Sequence, residues 1–216
     1  MTLALRVLAA PDHPEVAPGS VLFPPQTFGA VAVDEHGAVN GKRLAVGTVL
    51  DSGPWRFALV DAIDVFDSVF SYGQIMIFDA GVGLAGQWTE RHLKQGFLRC
   101  DGNVGLRTRD DSGHALVRAF GSPYVPLPED DRVIAVPFRV SSGTVHVVAP
   151  GEIEPHVIAL SAGEYRVVAC QRFFDRDEDL DLFFERVDLP RRRSEILVAD
   201  RELQPELPLL ETADPA

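Results

Sequence analysis

The chain has only two cysteines, Cys100 and Cys170, among 216 residues. Two cannot build a disulfide framework or a four-cysteine zinc site, so two reduced thiols are expected. Positive charge is also scarce: 20 Lys and Arg stand against 32 Asp and Glu, a net charge of −12. That balance lacks the cationic footprint that tracks phosphates, so no direct nucleic-acid partner is expected. Anionic membrane surfaces would repel the chain, and no apolar run approaches the roughly 18 residues that span a bilayer. Met1 to Ala10 (MTLALRVLAA) starts like a leader, but Arg6 interrupts it and no charge precedes the run. It is expected not to be a signal peptide, which makes a cytoplasmic location the default.

Local catalytic signatures are missing as well. There is no Gly-rich phosphate loop, no G-x-S-x-G elbow and no H-E-x-x-H helix, so no enzyme activity and no cofactor are expected. The histidines are scattered at positions 13, 36, 92, 114, 146 and 156. His146 and His156 could face each other across a sheet and hold a metal, but solvent-facing or satisfied histidines are the commoner outcome. Cys100, followed by Asp101, has no neighbouring base to activate it as a nucleophile.

What is present is an ordinary globular composition, 46% apolar and 24% charged. Pro11, Pro14, Pro18, Gly19, Pro24 and Pro25 punctuate the start, a pattern that can cover a core but not form a long helix or a central strand. Short Val- and aromatic-rich runs bounded by Gly, Pro or Asp follow: 28–33, 43–50, 55–60, 71–78, 104–109, 115–120, 132–140, 144–148, 156–160, 165–170 and 182–187. Only Thr89 to Leu98 reads as a helix, with Thr89 as its cap and Gly96 as its stop. Many strands with one short helix predict an all-β fold, an antiparallel β-sandwich or partly open barrel.

Three regions are expected: an amino-terminal β extension over 1–60, a main β domain over 61–188, and a carboxy-terminal strand with an acidic tail over 189–216. The extension weakly echoes the main domain, because V-A-V…G-P-W-R-F-A-L-V in 31–60 parallels V-P-F-R-V…G-E-Y-R-V-V-A-C in 136–170. Two β-meanders could share such turns without being repeats. Residues 173–216 carry 13 acids and 6 bases, a net of −7, and the end of this segment is expected to be mobile.

Two acidic runs are the candidate binding residues. The first is Glu129, Asp130 and Asp131. The second is Asp175, Asp177, Glu178, Asp179 and Asp181. Alternate aspartates suggest a calcium loop, but Leu180 stands where such a loop needs Gly and Arg186 where it needs a bidentate Glu. No metal is therefore assigned, and the run is read as a solvated acidic loop. Two such loops on one scaffold could imitate the phosphate spacing of a nucleic acid and attract a basic protein groove.

The central residues resemble the competence protein J family over about 65–188. The resemblance is carried by S-Y-G-Q-I-M-I-F (Ser71 to Phe78), W-T-E-R-H-L-K-Q-G-F (Trp88 to Phe97) and C-D-G-N-V-G-L (Cys100 to Leu106). V-P-F-R-V-S-S-G-T-V-H-V (Val136 to Val147) and L-S-A-G-E-Y-R-V (Leu160 to Val167) complete it. These blocks read as strand starts, turn glycines and a core tryptophan, Trp88. The resemblance implies a β fold and a nuclease as protein partner, and it transfers no catalytic residue. A non-catalytic nuclease inhibitor or immunity-like protein is thus the first expectation. A β-sandwich interaction or assembly module with no nuclease connection is the alternative, and a hydrolase with a metal in the acidic run is a third.

Overall fold

A computed structural model describes residues 2–11, 16–28, 31–34, 38–84, 86–175, 177–189 and 193–212. The chain is all-β, with antiparallel ladders in two larger sheets, and no closed barrel forms among the described residues. It divides into two compact units, residues 1–63 with 120–129, and residues 64–119 with 130–216.

The first unit holds β1 (Thr2–Ala9), β2 (Val21–Leu22), β3 (Gln26–Phe28), β4 (Val31–Val33), β5 (Val49–Ser52) and the first half of β6 (Trp55–Ser71). β1 runs between β2 and β6, pairing Leu5 with both Leu22 and Leu59. The residues before Pro11 thus form an interior strand, which corrects the expectation that the Pro-punctuated start holds no central strand: the prolines begin only after β1. Leu5, Val7, Val31, Val33, Val39, Trp55, Phe57 and Leu59 make this unit's core. The run 28–33 is not one strand: β3 and β4 are separate and pair with each other, Phe28 opposite Val31. The echo between 31–60 and 136–170 is not matched by strand pairing, because β4 pairs with β3 whereas the corresponding later strands pair directly.

The second unit holds the rest of β6, then β7 (Gln74–Asp79), α1 (Glu90–Gln95), β8 (Phe97–Cys100), β9 (Asn103–Arg107) and β10 (Ser112–Phe120), whose last residue belongs to the first unit. β11 (Arg132–Val140), β12 (Thr144–Val148), β13 (His156–Ala159), β14 (Gly163–Phe173), β15 (Asp177–Arg186) and β16 (Glu195–Val198) follow. One sheet contains the order β16-β11-β14-β15-β10, and the other is β13-β12-β7-β9-β8. The helix is set by its ends. Thr89 accepts the His92 amide while the His92 ring reaches the Thr89 amide, and Gly96 closes it in the left-handed region at φ 82°.

Period-2 alternation sorts the five-stranded sheet into two faces. Ile75, Ile77, Val104, Leu106, Val145 and Val147 lie on the inner face and are fully buried. The segment after Asp200 is fastened over α1 as far as residue 212, and the end expected to be mobile, 213–216, lies outside the described residues. Gln204 N–H donates to Lys94 O at 2.8 Å, Leu210 N–H to Gln95 Oε1 at 2.9 Å, and Arg99 to Glu211 O at 2.7 Å. Its Pro and Glu content conceals side-chain and backbone partners that lie about a hundred residues upstream.

Candidate functional site

The second acidic run is a strand. Residues 177–186 form β15, and D-x-D-x-D follows the two-residue period of a strand. Asp179 stands opposite Arg172 in the ladder, and Asp181 opposite Cys170, so both aspartates share a face with Arg172. Arg118 donates to Asp179 at 2.9 Å and to Asp181 at 3.0 Å. Arg172 donates to Asp181 at 3.1 Å and to Asp130 at 3.0 Å. Burial disfavours the Arg172 charge, but Asp181, Asp179 and Asp130 outweigh it, and its pKa is raised.

The reading of 175–181 as a solvated loop is therefore corrected. Asp181 and Glu178 are buried, as is Asp130 from the first run, and Asp179 is half-buried against two arginines. The missed signal was a pair of arginines at strand positions, Arg118 and Arg172. Glu129, Asp131, Asp175 and Asp177 remain exposed. Of these, Asp131 accepts the Phe173 amide at 2.8 Å. Glu178 faces inward beside Gln171, whose amide donates at 3.4 Å, and burial pushes its carboxyl up to about 7 despite that bond and the charges of Arg132 and Arg109.

His146 lies opposite Val157 and Phe78, whereas His156 lies opposite Val147, so the two rings belong to opposite faces. His156 stacks on Phe66 at 3.9 Å between centroids. Among the described residues, no group of three or more His, Cys, Asp or Glu side chains could hold a metal ion. Cys100 and Cys170 are not joined in a disulfide.

The outer face of the five-stranded sheet has a different character. Met76, Leu84, Trp88, Val148 and Pro150 line a cleft of about 400 Å³ together with Gln74 and Glu152. Trp88, read from the sequence as a core residue, is half-buried and forms a wall of this cleft. Its indole N–H donates to Gln74 Oε1. Gly105 makes room for it, since a Cβ there would lie 3.0 Å from Trp88 Cζ2 and 2.9 Å from Met76 Sδ.

The family model described as Competence protein J (ComJ) matches residues 67–189. The chain belongs to the competence protein J family. A solved structure described as ComJ, inhibitor of the DNA degrading activity of NucA, from Bacillus subtilis, shares the fold. Its TM-score is 0.51 at 16% identity, and the match covers 60% of this chain and 100% of that one. A second solved structure, described as Crocagin biosynthetic gene J, matches with TM-score 0.39 at 17% identity over 56% of this chain and 96% of that one. No curated protein matches the chain.

The competence protein J region begins in the second half of β6 and ends just after β15, so β1 to β5 lie outside it. Its blocks are architectural. Gly102 and Gly143 turn the chain at φ 66° and 80°, and Tyr165 Oη donates to Ser161 O at 2.7 Å. The Ser-Ser of the fourth block wraps Asp79. Ser141 and Ser142 each donate a backbone N–H and a hydroxyl to its carboxylate, at 2.8 to 2.9 Å. Burial works against the Asp79 charge, but these bonds prevail and hold its pKa down at about 2.

Proposed function

We propose that this protein is a non-catalytic inhibitor that binds a basic nuclease and silences it. The observation that carries the reading is membership of the competence protein J family across residues 67–189. Its solved member from Bacillus subtilis is described as an inhibitor of the DNA-degrading activity of NucA, a nuclease.

The charge of the chain supports the same partner class. A net charge of −12 attracts a basic protein at long range and speeds encounter, while an apolar centre supplies the affinity. Because Asp130, Glu178, Asp179 and Asp181 are buried or paired with arginine, the attraction falls to exposed acids such as Glu129, Asp131, Asp175 and Asp177. Inhibition by occlusion needs no catalytic group. Titration calorimetry of the purified chain with the NucA-type nuclease of the same organism tests this at two salt concentrations. A stoichiometric complex that weakens as salt rises is expected, and absence of heat at low salt contradicts the proposal.

A further inference from the structure

We infer that the nuclease seats on the outer face of the five-stranded sheet, at the cleft between Trp88, Leu84 and Val148, rather than on the aspartates of β15. The expected occupant is an apolar side chain carried on a basic surface of that protein. This inference rests on the inhibitor reading above and gives that reading a location.

The first observation is exposed apolar surface held ready for contact. Leu84 is 59% exposed on the cleft wall. On the same side of the sheet the register places Val157 beside His146, His146 beside Phe78, and Val148 beside Met76. Val157 is also exposed, and Ile153, one residue beyond the cleft-lining Glu152, is 98% exposed. Burial of these groups would supply an apolar interface centre of the kind that carries binding energy.

The second observation is a fixed tryptophan. Gln74 holds the indole N–H, Gly105 leaves the space beneath the ring, and His92 meets it edge-on with centroids 6.4 Å apart. Trp88 therefore has little side-chain freedom left to lose on binding, which favours affinity. Aromatic residues seated in this way are typical interface hot spots.

The third observation is charge. Residues 74–89 and 141–162, which supply β7, β12, β13 and the cleft-lining loops, contain no lysine and no arginine. Their acids outside the buried Asp79 are Glu152 and Glu154, and Glu154 and nearby Asp101 are exposed. Arg99 of β8 stands opposite Val104, hence on the inner face, where it donates to Pro137 O at 2.8 Å. Arg107 of β9 stands opposite Gln74, hence on the outer face, and lies 3.8 Å from Glu202, so the cation a basic partner meets beside the cleft already has a counter-ion. The polar cleft beside β15 differs, being lined by Arg109 and Arg201 as well as acids. Apolar centre, fixed aromatic and a cleft whose described lining holds Glu152 but no lysine or arginine coincide on this one face, which specifies a cationic protein surface as its complement.

The test uses the full chain and the purified NucA-type nuclease of the same organism, with dissociation kinetics and DNA degradation as readouts. Leu84→Lys alters an exposed side chain, so its melting temperature is expected to match the parent. It should speed dissociation by about 30-fold or more and relieve inhibition, and Trp88→Ala should act in the same direction. If the parent inhibits and both variants inhibit within about 3-fold of it, the location is overturned and the inhibitor reading stands. If the parent itself neither binds nor inhibits, the inhibitor reading fails and the inference falls with it. Self-association of the parent, abolished by Leu84→Lys, would assign the face to a second copy of the chain and overturn the proposed occupant.

Discussion

Arg172 and Asp181 meet at 3.1 Å, Nη1 to Oδ2, where the two residues are only 3% and 0% exposed. Asp130 and Asp179 approach the same guanidinium at 3.0 and 3.3 Å. Three carboxylates and two arginines thereby make much of the local excess of acid internal to the fold, and it is not available as surface charge. Arg172→Met leaves those carboxylates buried with one cation fewer. A loss of about 3–5 kcal/mol in unfolding free energy is expected from urea titration. A loss near zero would show that the cluster is solvated.

Glu178 makes stability depend on pH in the sense opposite to most carboxylates. Its pKa is about 7 in the fold against a reference of 4.5, so the folded state holds its proton over that interval while the unfolded state releases it. Stability from this group is therefore fully present below pH 4.5 and is lost as pH rises towards 7. Glu178→Gln keeps an acceptor for Gln171 and removes the titration. Relative to the parent, the variant should gain roughly 2–3 kcal/mol between pH 5 and pH 8. Parallel denaturation curves at the two pH values check this, and an unchanged difference would contradict it.

The exposed acids act on encounter. Asp175→Asn with Asp177→Asn removes two exposed charges. The association rate with a basic nuclease should fall several-fold and its salt dependence should flatten, while the dissociation rate stays within about 2-fold. Stopped-flow mixing across a salt series distinguishes the two rates. A change confined to dissociation would place these residues inside the contact.

Gly96 ties the helix stop to the carboxy-terminal strap. Its φ is 82°, and a Cβ there would lie 2.6 Å from Leu203 Cδ2. Gly96→Ala should cost about 1–3 kcal/mol, from left-handed strain together with displacement of the strap. Hydrogen exchange at the Gln204 and Leu210 amides, which bond to Lys94 and Gln95, should speed up in the variant. Unchanged exchange there would show that the strap holds without this contact.

Local chemistry made some elements legible. The sequence-predicted bounds of β11 and β12 match the structure, because each run of alternating or buried β-formers ends at the Ser-Ser-Gly turn or at Pro150. The caps of α1 were equally clear in Thr89 and Gly96. β6 was read only over 55–60 and extends to Ser71. Asp61, Asp64 and Asp67 resemble breakers when seen without their ladder partners. β15 suffered the same error, since D-x-D-x-D signals a loop until Arg118 and Arg172 are known to stand across from it. The outer cleft left a fainter trace. Two cation-free segments, 74–89 and 141–162, are visible in the sequence, but their adjacency depends on the pairing of β7 with β12.

This chain is proposed to silence a nuclease by binding it. The direct measurement is DNA degradation by the NucA-type nuclease of the same organism, titrated with the purified chain at low salt. Activity is expected to fall linearly to a floor at a fixed molar ratio and to return as salt is raised. Degradation that proceeds unchanged at a large molar excess of the chain would contradict it.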